Sequence, residues 1–351
     1  MSDKKRLNLN DSNNQGSSSQ KKVLIVIDSN SIIHRAYHAL PPLTTKGGEL
    51  VNAVYGFLLV FLKALREFQP DFIAACFDFP APTFRHKKFK GYKIKRPPAP
   101  EDLYQQIPKV KEILKSFGVP IFEKEGFEAD DIIGTVAKAA PKKQAFPRIE
   151  TIILSGDLDT LQLVDSYTKV YSLRKGVKDI ILYDRAEVEK KYTLKPHQLL
   201  SFKSLRGDPS DNIPGVTGVG EKIATELIKE FGNLENLYRN LEENTGKGEK
   251  VKPKIRETLL KYKEQAFFSK SLTQIKKDVP IDFNLKKCQF GEYDKKKVIQ
   301  LLKKFEFHSL INRLPSPKKE KIKKEKLSAS SSSSLSNHQD DNLLGENLKL
   351  W

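Results

Sequence analysis

The chain is poor in cysteine and tryptophan, with two and one respectively in 351 residues, and it has no long apolar run. Cys76 and Cys288 lie far apart, so neither a disulfide framework nor a four-cysteine zinc site can be built. Cys76, inside FIAACFDF, reads as a small core hydrophobe. No segment approaches the roughly eighteen consecutive apolar residues of a membrane span. The opening residues, MSDKKRLNLNDSNNQGSSSQKK, are polar throughout and lack the apolar core of a cleavable signal. A cytoplasmic protein with no membrane partner is therefore expected. Familiar catalytic signatures are also missing. The lysine of GVGEK follows glutamate, which removes the GxxxxGK[ST] phosphate loop, and there is no GxSxG elbow. His34 and His38 in HRAYH have i, i+4 spacing without the glutamate of HExxH, so they read as helix-surface histidines.

What the chain has in excess is positive charge, a formal +18. A surplus of that size recruits polyanions and releases their counterions on binding, which makes nucleic acid the default partner against the alternative of a solubilising surface. Part of the surplus sits in a terminal segment. Residues 1–20 and 315–351, the latter running through SPKKEKIKKEK into SASSSSSLS, have the makeup of disordered tails. The end NLLGENLKLW reads as a frayed terminus, with docking on a partner as the alternative.

Between the tails, VLIVID (23–28), FIAACF (72–77) and TIILS (151–155) read as buried strands. NAVYGFLLVFLKALREF and LYQQIPKVKEILKSFG carry apolar residues at helical spacing. Strand-helix-strand alternation predicts an α/β domain over 21–185, a mostly parallel sheet covered by helices. From about 186 the strand signal fades, and 186–314 reads as a helical domain.

Each strand-like run ends in aspartate: Asp28, Asp78, and Asp157 with Asp159. In an open parallel sheet the carboxyl ends of the strands line the ligand crevice, so these side chains should converge. A single aspartate there is ordinary turn chemistry, but the same residue after all of the runs is harder to dismiss. Glu128, Asp130 and Asp131 open a predicted helix in GFEADDIIGTVAKAA, where one acid would satisfy capping. Glu128 and Asp131 share a face and Asp130 turns away. Asp208 and Asp211 bracket a proline turn in RGDPSDNIPG. Gathering so many like charges is costly unless cations neutralise them. All-oxygen ligation points to magnesium, with manganese as a substitute, and two such ions activate water and stabilise the leaving oxygen of a phosphodiester.

After Asp78, the segment FPAPTFRHKKFKGYKIKRPPAPED interleaves cations with Phe84, Phe89 and Tyr92, a pattern suited to single-stranded nucleic acid. The plain alternative is an exposed charged loop. In IPGVTGVGEKIATELI, Gly215, Gly218 and Gly220 precede an amphipathic helix, so backbone N–H groups can face a phosphate and Lys222 can add a contact.

On these blocks (IDSNSIIHRAYHALPPLTT, AVYGF, FDFPAPTFRH, GYKIKRPP, FEADDIIGT, SGDLDTLQLV and RGDPSDNIPGVTGVGEKIA) the chain from about 23 to 314 resembles the 5′-nuclease domain of bacterial DNA polymerase I and, more distantly, the flap endonucleases. The resemblance implies a PIN-like catalytic domain followed by a helix-hairpin-helix at 213–232 that grips duplex DNA, often with a monovalent cation on backbone carbonyls. It implies that Asp28, Asp78, Glu128, Asp130, Asp131, Asp157, Asp159, Asp208 and Asp211 hold two or more magnesium ions. It further implies a helical arch over about 80–106, threaded by a 5′ single strand. There Tyr92 matches the stacking aromatic, Lys93 and Arg96 match the cations that approach the scissile phosphate, and Arg35 and Arg85 occupy basic positions of the family. Ser29 departs from the usual glycine, and the loop AAPKKQAFPRIE is unusual. Nothing resembles a polymerase or proofreading domain, so a free-standing nuclease, or a product cut short, is expected.

The implied activity is cleavage of 5′ flaps, nicked or gapped duplex and RNA primers in replication and repair. Asp157, Lys93 and Arg96 are the catalytic candidates, in a monomer of the bacterial nucleoid that works beside a separate polymerase. Two alternatives are weighed. A non-catalytic DNA-binding module would have lost carboxylates, and none is lost. A PIN-type ribonuclease usually lacks the glycine hairpin.

Overall fold

A computed structural model describes residues 21–141, 148–243 and 246–317. The expectation for the N-terminal tail, that for the C-terminal tail beyond residue 317, and half of the unusual loop before the third predicted strand fall outside these residues. The first half alternates strands and helices. β1 (Lys22–Asp28) leads into α1 (Ser29–Ala39) and α2 (Asn52–Phe68), and β2 (Phe72–Cys76) into α3 (Phe84–Lys88), α4 (Glu101–Tyr104) and α5 (Ile107–Ser116). β3 (Ile121–Phe122) and α6 (Ala129–Ala139) follow, then β4 (Ile149–Ser155), β5 (Thr168–Lys175) and β6 (Asp179–Tyr183). The strands form one sheet in the order β3-β2-β1-β4-β5-β6. All pairings are parallel except β5 with β6.

Apolar runs rather than alternating ones form the central strands because both faces are covered. Leu24, Ile25, Val26 and Ile27 are all fully buried, with Leu24 and Val26 in the cluster on one face and Ile25 and Ile27 in that on the other. On the second face α2 presents Val54, Phe57, Leu58 and Phe61 at helical spacing. The register then fixes the functional end of the sheet. Asp28 lies beside Cys76 and Ile27 beside Leu154, so β1, β2 and β4 end at one level. The chain order reverses at β1, the point where open α/β sheets form a crevice.

The second half is helical: α7 (Arg185–Tyr192), α8 (Leu199–Arg206), α9 (Glu221–Phe231), α10 (Leu234–Glu242), α11 (Gly246–Glu249), α12 (Pro253–Lys261), α13 (Lys263–Thr273), α14 (Lys295–Lys304) and α15 (His308–Ile311). Phe202, Leu205, Val216, Leu227 and Leu237 join the same apolar cluster as Leu24 and Ile153 of the sheet, whereas Val298, Leu302 and Leu310 of α14 and α15 join the cluster on its other face. The hairpin between α8 and α9 depends on a close backbone approach. A Cβ on Gly215 would stand 2.3 Å from the backbone of Arg206, and one on Gly207, at φ 80°, would stand 2.4 Å from the nitrogen of Gly215.

The sheet has six strands, because β3, β5 and β6 join the three read from the sequence. Over 80–106, the segment expected to form part of a helical arch, α3 has five residues and α4 four, joined by turns that fold down onto the crevice.

Candidate active site

At the carboxyl end of the sheet lies a cavity of about 650 Å³. Asp28, Asp78, Glu128, Asp130 and Asp157 line it, together with Asn30, Ser31, His34, Arg35, His38, Lys93 and Arg96. Asp28 arrives as the last residue of β1 and caps α1, its Oδ1 accepting from Ser31 N at 3.2 Å and its Oδ2 from Ser155 Oγ at 2.6 Å. Burial pushes its carboxyl up to about 6, helped by the charges of Asp78 and Asp157 and opposed by the two serine bonds. Asp78 accepts from Ala129 N at 2.8 Å, which ties the end of β2 to the start of α6. Desolvation in the cavity raises its carboxyl too, with Glu128 adding to the shift. Asp157, two residues beyond β4, accepts from Asp159 N at 2.8 Å.

Asp130 has no hydrogen bond and no ion pair with any described residue. Desolvation, then repulsion from Asp28, Asp157 and Asp159, holds its carboxyl well above the usual range. These four carboxylates share one trait: none forms an ion pair among the described residues. The others are all paired. Lys93 Nζ donates to Glu128 at 2.7 Å, and Tyr92 donates its hydroxyl to both Glu128 and Asp211 at 3.1 Å. Burial alone would raise Glu128, but Lys93 and Arg85 outweigh it and hold the carboxyl below its ordinary value. Arg96 pairs with Asp211. Lys203 bridges Asp159 and Asp208, reaching the latter at 2.8 Å. Asp208, despite burial, is held low by Lys203 and Ser210, whereas burial keeps Asp159 raised to about 6 even beside Lys203.

This geometry engages several of the expected site residues with other parts of the protein. Asp131, expected as a metal ligand, is fully buried; both of its oxygens bind Arg85, at 2.6 and 2.9 Å, and it also accepts from Lys276 N and Glu128 N. Arg85, expected at the DNA, is consumed by that pair and by the carbonyls of Leu272 and Gln274. Tyr92 is 4% exposed and packs with Ile213 and Leu272, so its ring offers no free face for a base. Glu128 and Asp131 share a face, both meeting Arg85, at 3.4 and 2.6 Å, while Asp130 turns away from them toward the open carboxylates. Gly215 serves the close packing just described, and its carbonyl and that of Pro214 already accept from Gln265 and Ser269 of α13.

Other expectations find their residues where a ligand could reach them. Gly218, at φ 79°, and Gly220 have open space around them, and Lys222 is exposed at the start of α9. Arg35 lines the cavity and donates to the carbonyls of Gly156 and Arg174. Lys93 stands at φ 56° and donates its N–H to Asp211 O at 2.9 Å, a strained turn held in place by tertiary contacts. Sequence reasoning missed Lys203, whose partners lie 44 and 5 residues away. It also placed His34 and His38 on a plain helix surface, although both line the cavity. The available signal was their i+3, i+7 spacing from Ser31 on a helix that starts at Asp28. Ser29, the departure from glycine, is fully buried with no hydrogen-bond partner for its hydroxyl among the described residues.

Two family models match. One, for the 5′-3′ exonuclease N-terminal resolvase-like domain, covers residues 23–193, and one for the 5′-3′ exonuclease C-terminal SAM fold covers 194–296. The chain belongs to the 5′-3′ exonuclease family. It is 40% identical over 303 residues to DNA polymerase I of Bacillus caldotenax, covering 86% of this chain and 33% of that protein. For DNA polymerase I of Bacillus subtilis the identity is 40% over 295 residues, covering 84% and 32%. The chain thus spans about a third of the length of the curated relatives it matches. Among solved structures, the bacteriophage T5 flap endonuclease in a pseudo-enzyme–product complex with DNA and metal ions superposes with a TM-score of 0.59 at 17% identity, over 81% of this chain and all of that one. The catalytic core of Rad2 in complex with DNA substrate reaches 0.51 at 18%, over 85% and 94%. At such identities these likenesses show the fold.

Among the described residues the open carboxylates do not close into a cluster of three that would hold an ion as they stand. Their chemistry nevertheless suits a divalent ion. The donors are all hard oxygens, and Asp28, Asp78, Asp130 and Asp157 form no ion pair with a described residue, although Arg35, Lys93 and Arg96 also line the cavity. Magnesium keeps several waters in its shell, so carboxylates facing a cavity without touching one another can hold it.

Proposed function

We propose that the chain is a structure-specific 5′ nuclease, a 5′-3′ exonuclease and flap endonuclease that hydrolyses DNA phosphodiesters with two or more magnesium-type ions. The observation that carries this reading is the set of unpaired carboxylates, Asp28, Asp78, Asp130 and Asp157, on a cavity whose wall also bears Lys93 and Arg96. Asp28, Asp78, Asp130 and Asp157 would hold the ions, and Glu128, Asp159, Asp208 and Asp211 would do so on release from their present cations. Bound there, the ions supply an activated water and stabilise the leaving oxygen.

The protein's own groups do the rest. Ser31 and Ser155 fix Asp28, and Ala129 N fixes Asp78, so the carboxylates are aimed before any ligand arrives. Lys93 and Arg96 present cations at the cavity wall, where a strand's phosphate can take the place of Glu128 and Asp211 as their partner. Gly218, Gly220 and Lys222 offer backbone and side-chain donors to the duplex phosphates. A monovalent cation at this hairpin would use carbonyls beyond Gly215.

We place the activity in the bacterial nucleoid as a monomer, on flapped, nicked or gapped DNA and RNA primers, beside a polymerase activity like that of the relatives. No described helix is long and apolar enough to cross a membrane. The test is a 5′-flap duplex incubated with magnesium, with Asp157→Asn and with EDTA as controls. Cleavage that survives both controls overturns the reading, and product lengths separate exonucleolytic from flap cleavage.

A further inference from the structure

The cations in and around the cavity are nearly all spent on carboxylates. Lys93 is held by Glu128, Arg96 by Asp211, Arg85 by Asp131, and Lys203 by Asp159 and Asp208. Of the positive or protonatable groups that line the cavity, only His34, Arg35 and His38 have no carboxylate partner among the described residues. All three stand on α1. Ser31, His34, Arg35 and His38 recur at i, i+3, i+4 and i+7, one face of the helix, while Ile32, Ile33 and Ala36 are buried on the other. The face is rigid. Arg35 is clamped on the carbonyls of Gly156 and Arg174, and the His38 ring meets Tyr37 edge-on at 5.1 Å. α1 rises about 1.5 Å per residue, so this wall runs roughly 15 Å away from Asp28.

We propose that this face of α1 is a phosphate-binding subsite, in which His34 and His38, with Arg35 between them, take a phosphate of the nucleic-acid strand that enters the cavity. The inference rests on the nuclease reading only for the identity of the ligand as a nucleic-acid strand. A cavity floored by uncompensated carboxylates repels every phosphate that approaches, and the wall supplies the offsetting charge without withdrawing Lys93 or Arg96 from their pairs. His34 can carry that charge conditionally. Burial, then His38 and Arg96, hold the His34 imidazole below its ordinary value, so in the free protein near neutral pH it is uncharged. The groups that face it across the cavity are Lys93 and Arg96 on one side and Asp28, Asp78, Glu128, Asp130 and Asp157 on the other. An arriving phosphate favours the protonated ring, so binding takes up a proton from solvent and becomes a charge-assisted hydrogen bond.

The experiment is fluorescence anisotropy with the full chain in EDTA, where no cleavage is needed, at constant ionic strength and about pH 6 and pH 8. The probes are a 5′-flap duplex with a terminal 5′-phosphate and the same duplex with a 5′-hydroxyl. Titration of the open carboxylates also strengthens binding at low pH, so the readout is the difference between wild type and variant. His34→Gln should remove on the order of tenfold of the affinity gained between pH 8 and pH 6, and His34→Arg should bind at pH 8 about as wild type does at pH 6. Loss confined to the phosphorylated probe assigns the subsite to the terminal phosphate, and loss with both assigns it to an internal phosphodiester. If His34→Gln and His38→Gln both keep the wild-type pH dependence, and His34→Arg gains nothing at pH 8, the subsite does not exist. Melting curves of the same samples show whether a variant's loss is one of folding, and His38→Gln then carries the test alone. A protein that shows the effect but never cleaves with magnesium keeps the subsite and loses the nuclease reading; the reverse result loses only the subsite.

Discussion

Two sets of carboxylates share one crevice and are built on opposite principles. Glu128, Asp131, Asp208 and Asp211 each meet an arginine or lysine, and where a shift is resolved, at Glu128 and Asp208, the carboxyl is held low. Asp28, Asp78 and Asp130 meet only hydroxyls, a backbone N–H or nothing, and all are pushed up by desolvation and mutual repulsion. The first set holds the segment after β2, the start of α6 and the turn after α8 together. The second destabilises the metal-free fold at neutral pH and is useful only to something positive that arrives from outside. A folded protein retains such repulsion where function requires it. Asp130 and Asp131, adjacent in sequence, fall on opposite sides of this divide, so the comparison can be broken at a single peptide bond.

The largest effect should come from the open set. Asp130→Asn or Asp157→Asn is expected to lower the rate of flap cleavage by about a thousandfold or more, because residues that act as one unit fail together. In the metal-free protein Asp130→Asn should at the same time raise the melting temperature, since it deletes a repulsion that nothing offsets. A variant that cleaves normally, or that melts lower than wild type without metal, would place Asp130 in the paired set instead.

Asp131→Asn should do the opposite. It leaves the Arg85 guanidinium buried without its counter-charge, and breaking such a pair costs about 3–5 kcal/mol. Denaturant unfolding should show that loss, with cleavage impaired only as far as the protein unfolds. Replacing both partners by apolar residues, Arg85→Met with Asp131→Leu, should restore part of the stability. If Asp131→Asn is as stable as wild type yet inactive, Asp131 belongs with the open carboxylates.

This divide marks the limit of what the residues disclose in order. Asp28, Asp78 and Asp157 were legible because each follows an apolar run, and strand ends in a parallel sheet converge by geometry alone. The parallel sheet and the helical second half were legible for the same local reason. β3 has two residues and β6 is an antiparallel edge with one buried position, so neither gives the continuous apolar signal of the central strands. Partner choice was not legible. The run from Arg85 to Arg96 alternates cations and aromatics in the same way whether a cation is to meet a phosphate or a carboxylate, and Asp131 and Asp211 lie 46 and 115 residues from their arginines. Tyr92 illustrates the point: a ring expected to stack on a base is instead shut between Glu128, Asp211 and Ile213.

The contrast also has a pH signature. Asp28 stands at about 6 against an ordinary 3.8, and a carboxyl raised on folding favours the folded state below its unfolded value and loses that contribution as pH rises through the folded one. Metal-free wild type should therefore lose about 2–3 kcal/mol relative to Asp28→Asn between pH 4 and pH 7. Glu128 and Asp208, held low, act with the opposite sign, and their contribution disappears as pH falls below about 4. The difference between wild type and Asp28→Asn isolates the first trend, and saturating magnesium at pH 7 should reverse it. A difference that stays flat from pH 4 to pH 7 would show that Asp28 is not desolvated in solution.

The smallest effect tests the same division among cations. Lys93, Arg96 and Lys203 are engaged in the free protein, so a phosphate must compete for them and their removal disturbs the protein as well as the complex. Lys222 is exposed, has no ion pair among the described residues, and stands at the N-terminus of α9 beside Gly218 and Gly220, whose surroundings are open. Its charge is available without exchange, and a phosphate there meets the helix N–H groups as well. Lys222→Ala should leave the melting temperature unchanged, weaken duplex binding by a few-fold, and make the slope of log affinity against log salt less steep by about one phosphate contact. Lys203→Ala should instead lower the melting temperature, because Asp159 and Asp208 lose the cation between them. Titrations of both variants from low to high salt distinguish the two kinds of cation. An unchanged slope for Lys222→Ala would mean that the hairpin meets DNA through backbone groups alone.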